Sequence, residues 1–210
     1  MKSIQYLLSV CLCVLTMHVY AQTLDDLFIA VNDDKVDVMI KALKKQNINA
    51  KDKMGNTPLI TAAFESSNQC FFELIKRGAD VHVKNRAGDT AVMIAALKGN
   101  FPMVKALIQA GADINPRGWS PLIYAAANGH TEIVEFLIKQ GVNIDMTSPN
   151  GTTALMMAAK GGHYNTVKVL VWNIAELDKR NDSGMTARKY ALQTGNTDIA
   201  DLLKRAGAKE

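Results

Sequence analysis

Four histidines and three cysteines are the side chains of this chain best suited to hold a metal or attack a substrate. His130 and His163 come first, because each follows a glycine and 33 positions separate them. Two imidazoles make half of a tetrahedral zinc site, yet no third or fourth ligand stands at a suitable spacing. His82 stands by itself in a polar stretch and is expected to be solvated. Cys70 opens an apolar helical run, Cys70-Phe-Phe-Glu-Leu-Ile75. A helix N-terminus can activate a thiol, but the position suits a small core residue better, and that is the role expected. No H-E-x-x-H, G-x-S-x-G or phosphate-binding glycine loop occurs, and the carboxylates form no obvious pair. Catalysis, metals and cofactors are therefore not expected.

What would position any site is a recurring pair of short helices, clearest in Ser120–Gly141. Ser120 is a good N-cap, and Pro121 fits the first helical position, where a missing amide costs nothing. Ala125 and Ala126 are small enough to let another helix approach. Asn128-Gly129 breaks the first helix. A second runs from Thr131 to Gln140 with Ile133, Val134, Leu137 and Ile138 on one face, and Gly141 stops it. Such a hairpin cannot bury its apolar face alone, and the chain offers copies of it to stack on. The capped starts fall at Thr57, Thr90, Ser120, Thr153 and Thr186, spaced 33, 30, 33 and 33 residues apart.

A period of 33 with the runs Thr57-Pro-Leu-Ile-Thr-Ala-Ala63 and Thr153-Ala-Leu-Met-Met-Ala-Ala159 resembles the ankyrin-repeat family. The resemblance implies an all-α solenoid of helix–turn–helix units joined by short β-hairpin-like fingers. The expected division is a cap repeat over 24–55, repeats over 56–88, 89–118, 119–151 and 152–184, and a C-terminal cap over 185–210. In the first of these Asp25 and Asp26 replace the Thr-Pro cap, and a terminal repeat is expected to keep one face polar. The resemblance makes His130 and His163 structural. Adjacent repeats sit about 10 Å apart, too far for both to grip one ion. Where the family usually has histidine after Thr-Pro-Leu, this chain has Ile60, Met93, Ile123, Met156 and Lys189; four of the five are apolar, so apolar packing should replace hydrogen bonding. Ile174 stands where Gly78, Gly111, Gly141 and Gly207 end their helices. A β-branched residue fits positive φ poorly, so Asn173 is expected to take that place through a shifted loop. The 30-residue spacing shortens the finger Asn115-Pro-Arg-Gly118 and leaves a notch beside Trp119.

The first 21 residues are different material. Met1-Lys2 is basic, Ile4 to Val19 is largely apolar, and Val19-Tyr20-Ala21 ends on a small residue. This is the layout of a secretory signal peptide cleaved after Ala21. A retained anchor is the alternative, but Gln5, Thr16 and His18 interrupt a run already short of the roughly 20 apolar residues a span needs. A lipid-attachment site at Cys11 is a further alternative, against which Val10 is bulky. Cleavage leaves Cys70 as the one cysteine, so no disulfide can form in the mature chain. Export without disulfides points to a bacterial periplasm or cell exterior. The net charge of +4, with both signs scattered, gives no nucleic-acid footprint.

What remains is surface. In ankyrin repeats partners usually meet the finger tips and the exposed ends of the inner helices, and this implies a protein-binding face on a monomer. Carried onto this chain, the positions are Lys53, Met54, Phe64, Arg86, Leu97, Lys98, Arg117, Trp119, Asn128 and Lys160. Met54, Phe64, Leu97 and Trp119 are large apolar groups that the stack need not bury, and the cations among them suit an acidic or mixed partner. The function expected is a non-catalytic, exported protein-binding module. An inhibitor or immunity protein that neutralises an exported enzyme or toxin is the alternative, with the same surface in use.

Overall fold

A computed structural model describes residues 24–209, so the expected signal segment lies outside the described residues. The described residues form six helix pairs. The first pair is α1 (24–32) with α2 (Val36–Leu43). Next come α3 (Pro58–Glu65) with α4 (Asn68–Lys76), and α5 (Ala91–Lys98) with α6 (Phe101–Gln109). Then follow α7 (Pro121–Ala127) with α8 (Thr131–Lys139), and α9 (Ala154–Lys160) with α10 (Tyr164–Trp172). The last pair is α11 (Ala187–Gln193) with α12 (Thr197–Arg205).

The caps explain where the inner helices begin. The hydroxyls of Thr57, Ser120, Thr153 and Thr186 accept the amide three residues on, at 3.2–3.3 Å. Each satisfies an orphan donor of the first turn. The inner helices α3, α5, α7, α9 and α11 stack in sequence, and α2, α4, α6, α8, α10 and α12 form the outer row. The alanine pairs 62–63, 95–96, 125–126 and 158–159 are buried, which lets the inner helices approach closely. Ile60, Met93, Ile123 and Met156 are at most 2% exposed, so apolar packing does replace the family's usual histidine there. Phe71, Leu74, Met103, Leu107, Leu137 and Leu170 fill the seam between rows, each worth about 1.5–3 kcal/mol of burial.

Polar ties hold one pair to the next. His130 Nε2 lies 3.0 Å from the carbonyl oxygen of Leu97, and His163 Nε2 lies 2.9 Å from that of Ala127. A carbonyl only accepts, so each of these nitrogens carries the proton. Asn196 makes the equivalent bond to Ala159 at 3.0 Å. The glycines beneath serve twice. Gly129 has φ 71°, and a Cβ on it would stand 2.5 Å from the His163 ring. At the first junction Asp34 reaches over and accepts the amides of Gln69 and Cys70, at 3.1 and 2.7 Å. One repeat's carboxylate therefore caps the next repeat's helix, α4, at the end where the dipole favours negative charge.

Two expectations need correction. Asn173 does not take the left-handed place after α10. It has φ −97°, while Ile174 itself sits at φ 65° with 86% of its surface exposed. The stack fixes the loop path closely enough to force the β-branched residue into that region, at a cost of about 1–2 kcal/mol. The fingers are hairpin-like, as the resemblance implies. One antiparallel bridge, Thr147 with Thr153, is present among the described residues, and the rest are hydrogen-bonded turns. The outer face of the first pair is mixed rather than polar. Ile29 and Val38 are 56% and 44% exposed among Asp26, Asp33, Lys35, Lys41 and Lys45.

Candidate functional site

Three of the fingers are built by one device. A residue at the base of each of these turns folds its side chain over the turn amides. Asp52 Oδ1 accepts from Met54 and Asn56, both at 2.8 Å. Asn85 Oδ1 accepts from Ala87 and Asp89, and Asn181 Oδ1 from Ser183 and Met185. These are Asx turns, rigid without a strand. Neighbouring tips are then joined: the Arg86 amide donates to the Met54 carbonyl, and the Asp182 amide to that of Asn150, each at 3.0 Å. The fingers thus form a joined pair at each end, with the shortened one at 115–119 between them.

Beside the first joined pair lies a hollow of about 480 Å³. Met54, Asn56 and Arg86 of the fingers and Phe64, Glu65 and Leu97 of the inner helices are among its walls. Met54 is 65% and Phe64 49% exposed. The Lys98 ammonium stands 4.5 Å above the Phe64 ring, a cation–π contact that holds the ring's orientation. Thr61 also lines the hollow, and its Oγ1 has no hydrogen-bond partner among the described residues.

The hollow continues toward the notch through Asp89. Tyr124 donates its hydroxyl proton to Asp89 Oδ1 at 2.8 Å, and its ring stacks on Trp119 with centroids 5.3 Å apart. Burial raises the Tyr124 pKa above the usual phenol range, and the adjacent Asp89 carboxylate raises it further. The hydroxyl therefore stays protonated as a donor. Trp119 is held in place and 36% exposed. Its shortened finger leaves Gly118 against Pro149 of the next finger.

The residues named from the sequence divide accordingly. Met54, Phe64, Arg86 and Leu97 share the hollow; Lys53 is exposed at the same finger tip, and Lys98 covers Phe64. Leu97 was expected to be exposed. It is half-buried against the core, and His130 of the following helix pair reaches over to its backbone carbonyl. Trp119 joins the hollow through Tyr124 and Asp89, with Arg117 exposed beside it. Asn128 instead donates to the Tyr124 carbonyl at the end of α7, and Lys160 lies 5.5 Å from the Tyr190 ring of the last pair. Tyr124 was missed. Its one signal was its place on an inner helix beside the short finger.

Cys70 packs in the core, and His130 and His163 make the ties between repeats described above. The thiol is fully buried, its Sγ 3.8 Å from the Ala30 carbonyl oxygen. Burial above all, and then the charge and hydrogen bonding of Asp34, push its pKa up to about 12. Among the described residues no three His, Cys, Asp or Glu groups gather where they could hold a metal ion. No described helix is long and apolar enough to cross a membrane.

Six stacked helix pairs, an inner row of alanine-rich helices and a line of turns over a shaped hollow define a repeat solenoid with a preformed surface. The model of the ankyrin-repeat family matches residues 62–148 and again 140–209, well over half of the chain, which therefore belongs to that family. No curated protein matches the chain. Ankyrin repeats are in general protein–protein interaction modules.

Proposed function

We propose that this chain is an extracytoplasmic, non-catalytic binding module that docks a protein partner against the finger tips and inner-helix ends, centred on Met54, Phe64 and Trp119. The observation that carries the reading is the hollow beneath the first two fingers. Its large apolar groups are exposed, yet fixed by Asx turns, a joined finger pair and a lysine over a ring. A surface fixed before contact loses little ordering entropy on binding. Exposed aromatics and an arginine at its centre are the residue types that dominate hot spots. Lys53, Arg86, Lys98 and Arg117 favour a partner with an acidic or mixed patch. Export rests on the composition of residues 1–21 alone.

The test is affinity capture from the native cell envelope with the wild-type chain and with a Met54→Ala, Phe64→Ala, Trp119→Ala variant. The reading expects one specific protein to be retained by the first and lost from the second, with the helical circular dichroism of the two unchanged. Equal capture by both would refute the site. Leu97 is left intact because its packing against the core would confound the result.

A further inference from the structure

A second surface lies on the outer row, away from the hollow, at the C-terminal ends of the outer helices. Trp172 is 68% exposed there and Ile174 86%, making them two of the most exposed large apolar side chains among the described residues. Ile174 occupies a left-handed position where the equivalent Gly141 and Gly207 have φ 81° and 106°, so an apolar side chain is presented at a place built for none. The Lys168 ammonium lies 4.4 Å over the Trp172 ring. The same helix ends on either side carry exposed Lys139 on α8 and exposed Lys204 and Arg205 on α12. The exposed acids Glu135 and Asp201 stand one helical turn back from this edge, while Glu176 lies 3.9 Å from Lys179.

We infer that this edge is a peripheral docking surface for an anionic lipid membrane. Projecting side chains need no complementary pocket in a lipid surface, which closes around them. Indole rings prefer the headgroup level, and a lysine stem can lie along the ring while its ammonium stays in water among phosphates. Each cation close to an anionic surface strengthens binding roughly fivefold, so the row on α8, α10 and α12 supplies attraction and the Trp172–Ile174 pair supplies insertion. This surface is independent of the proposed protein-binding hollow, and both can be engaged at once.

The chain has two tryptophans, so Trp119→Phe, which keeps a ring to stack on Tyr124, leaves Trp172 as a site-specific reporter. With vesicles rich in phosphatidylglycerol, Trp172 emission should shift to the blue and be quenched by lipids brominated near the headgroup. High salt should reverse the shift, since it screens exposed charge. Ile174→Gly, which relaxes the backbone and should not threaten folding, should weaken vesicle affinity by about tenfold or more, as loss of one inserted aliphatic side chain requires. Unchanged Trp172 emission at saturating anionic vesicles would overturn the proposal. So would an equal shift on pure phosphatidylcholine, or an Ile174→Gly variant that binds as tightly as its parent.

Discussion

Ile174→Gly should make this protein more stable, and the size of the gain follows from the local geometry. The residue has φ 65°, where a side chain with a Cβ pays about 1–2 kcal/mol. Glycine removes that cost but gives the unfolded chain more freedom, which takes back about 0.5–1 kcal/mol. Ile174 is 86% exposed, so little burial is lost. The net expectation is a gain of about 0.5–1 kcal/mol, or about 1–4 °C in Tm for a domain of this length. Thermal melts followed by circular dichroism, with urea unfolding of the same samples, measure it. The reverse change, Gly141→Ile at φ 81°, serves as the control and should lose at least what the first gains. An Ile174→Gly variant that melts at or below the wild-type temperature would refute the reasoning, by showing that the isoleucine makes stabilising contacts or that its backbone is not strained. The same variant should bind anionic vesicles less well, so stability and membrane docking should move in opposite directions at one position.

Asp34→Ala should cost about 1–2 kcal/mol in urea unfolding, since it uncaps α4 across a repeat junction, with Asp34→Asn retaining part of the stability. The Cys70 thiol should resist a chromogenic disulfide reagent at pH 8 in the folded chain and react at once in denaturant; rapid native labelling would contradict its burial. Its folded pKa is about 12 against an ordinary 9.0. The contribution of the buried thiol to stability is therefore complete below pH 9 and lost as pH rises from there toward 12, because the unfolded chain ionises first. Cys70→Ala should accordingly show a shallower loss of stability across that alkaline window than the wild type.

Much of the fold was legible because ankyrin units announce themselves locally. The Thr or Ser caps, the alanine pairs and the glycine stops are one-residue decisions, and their spacing located the short finger before any contact was known. The resemblance made His130 and His163 structural, and the structure shows them as ties between repeats. The less legible features are set between repeats. Asp34 carries no local signal of its role, which is to cap a helix in the next repeat. Lys98 looked like a free charge and lies over Phe64, one repeat away. Tyr124 acquires its role only when stacking brings Asp89 and Trp119 to it. Ile174 was misread for a related reason. Local preference favoured moving the turn to Asn173, and the packed helices on either side outweighed it.

The central claim is that partners meet the finger side of the stack. Site-specific photocrosslinking tests it most directly, with a photoreactive residue placed in turn at Met54 and Phe64 beside the hollow and at Phe72 on the outer row, which is 43% exposed. The account predicts the same covalent protein adduct from Met54 and Phe64 and none of it from Phe72. An adduct formed from Phe72 and absent from the two finger-side positions would contradict it.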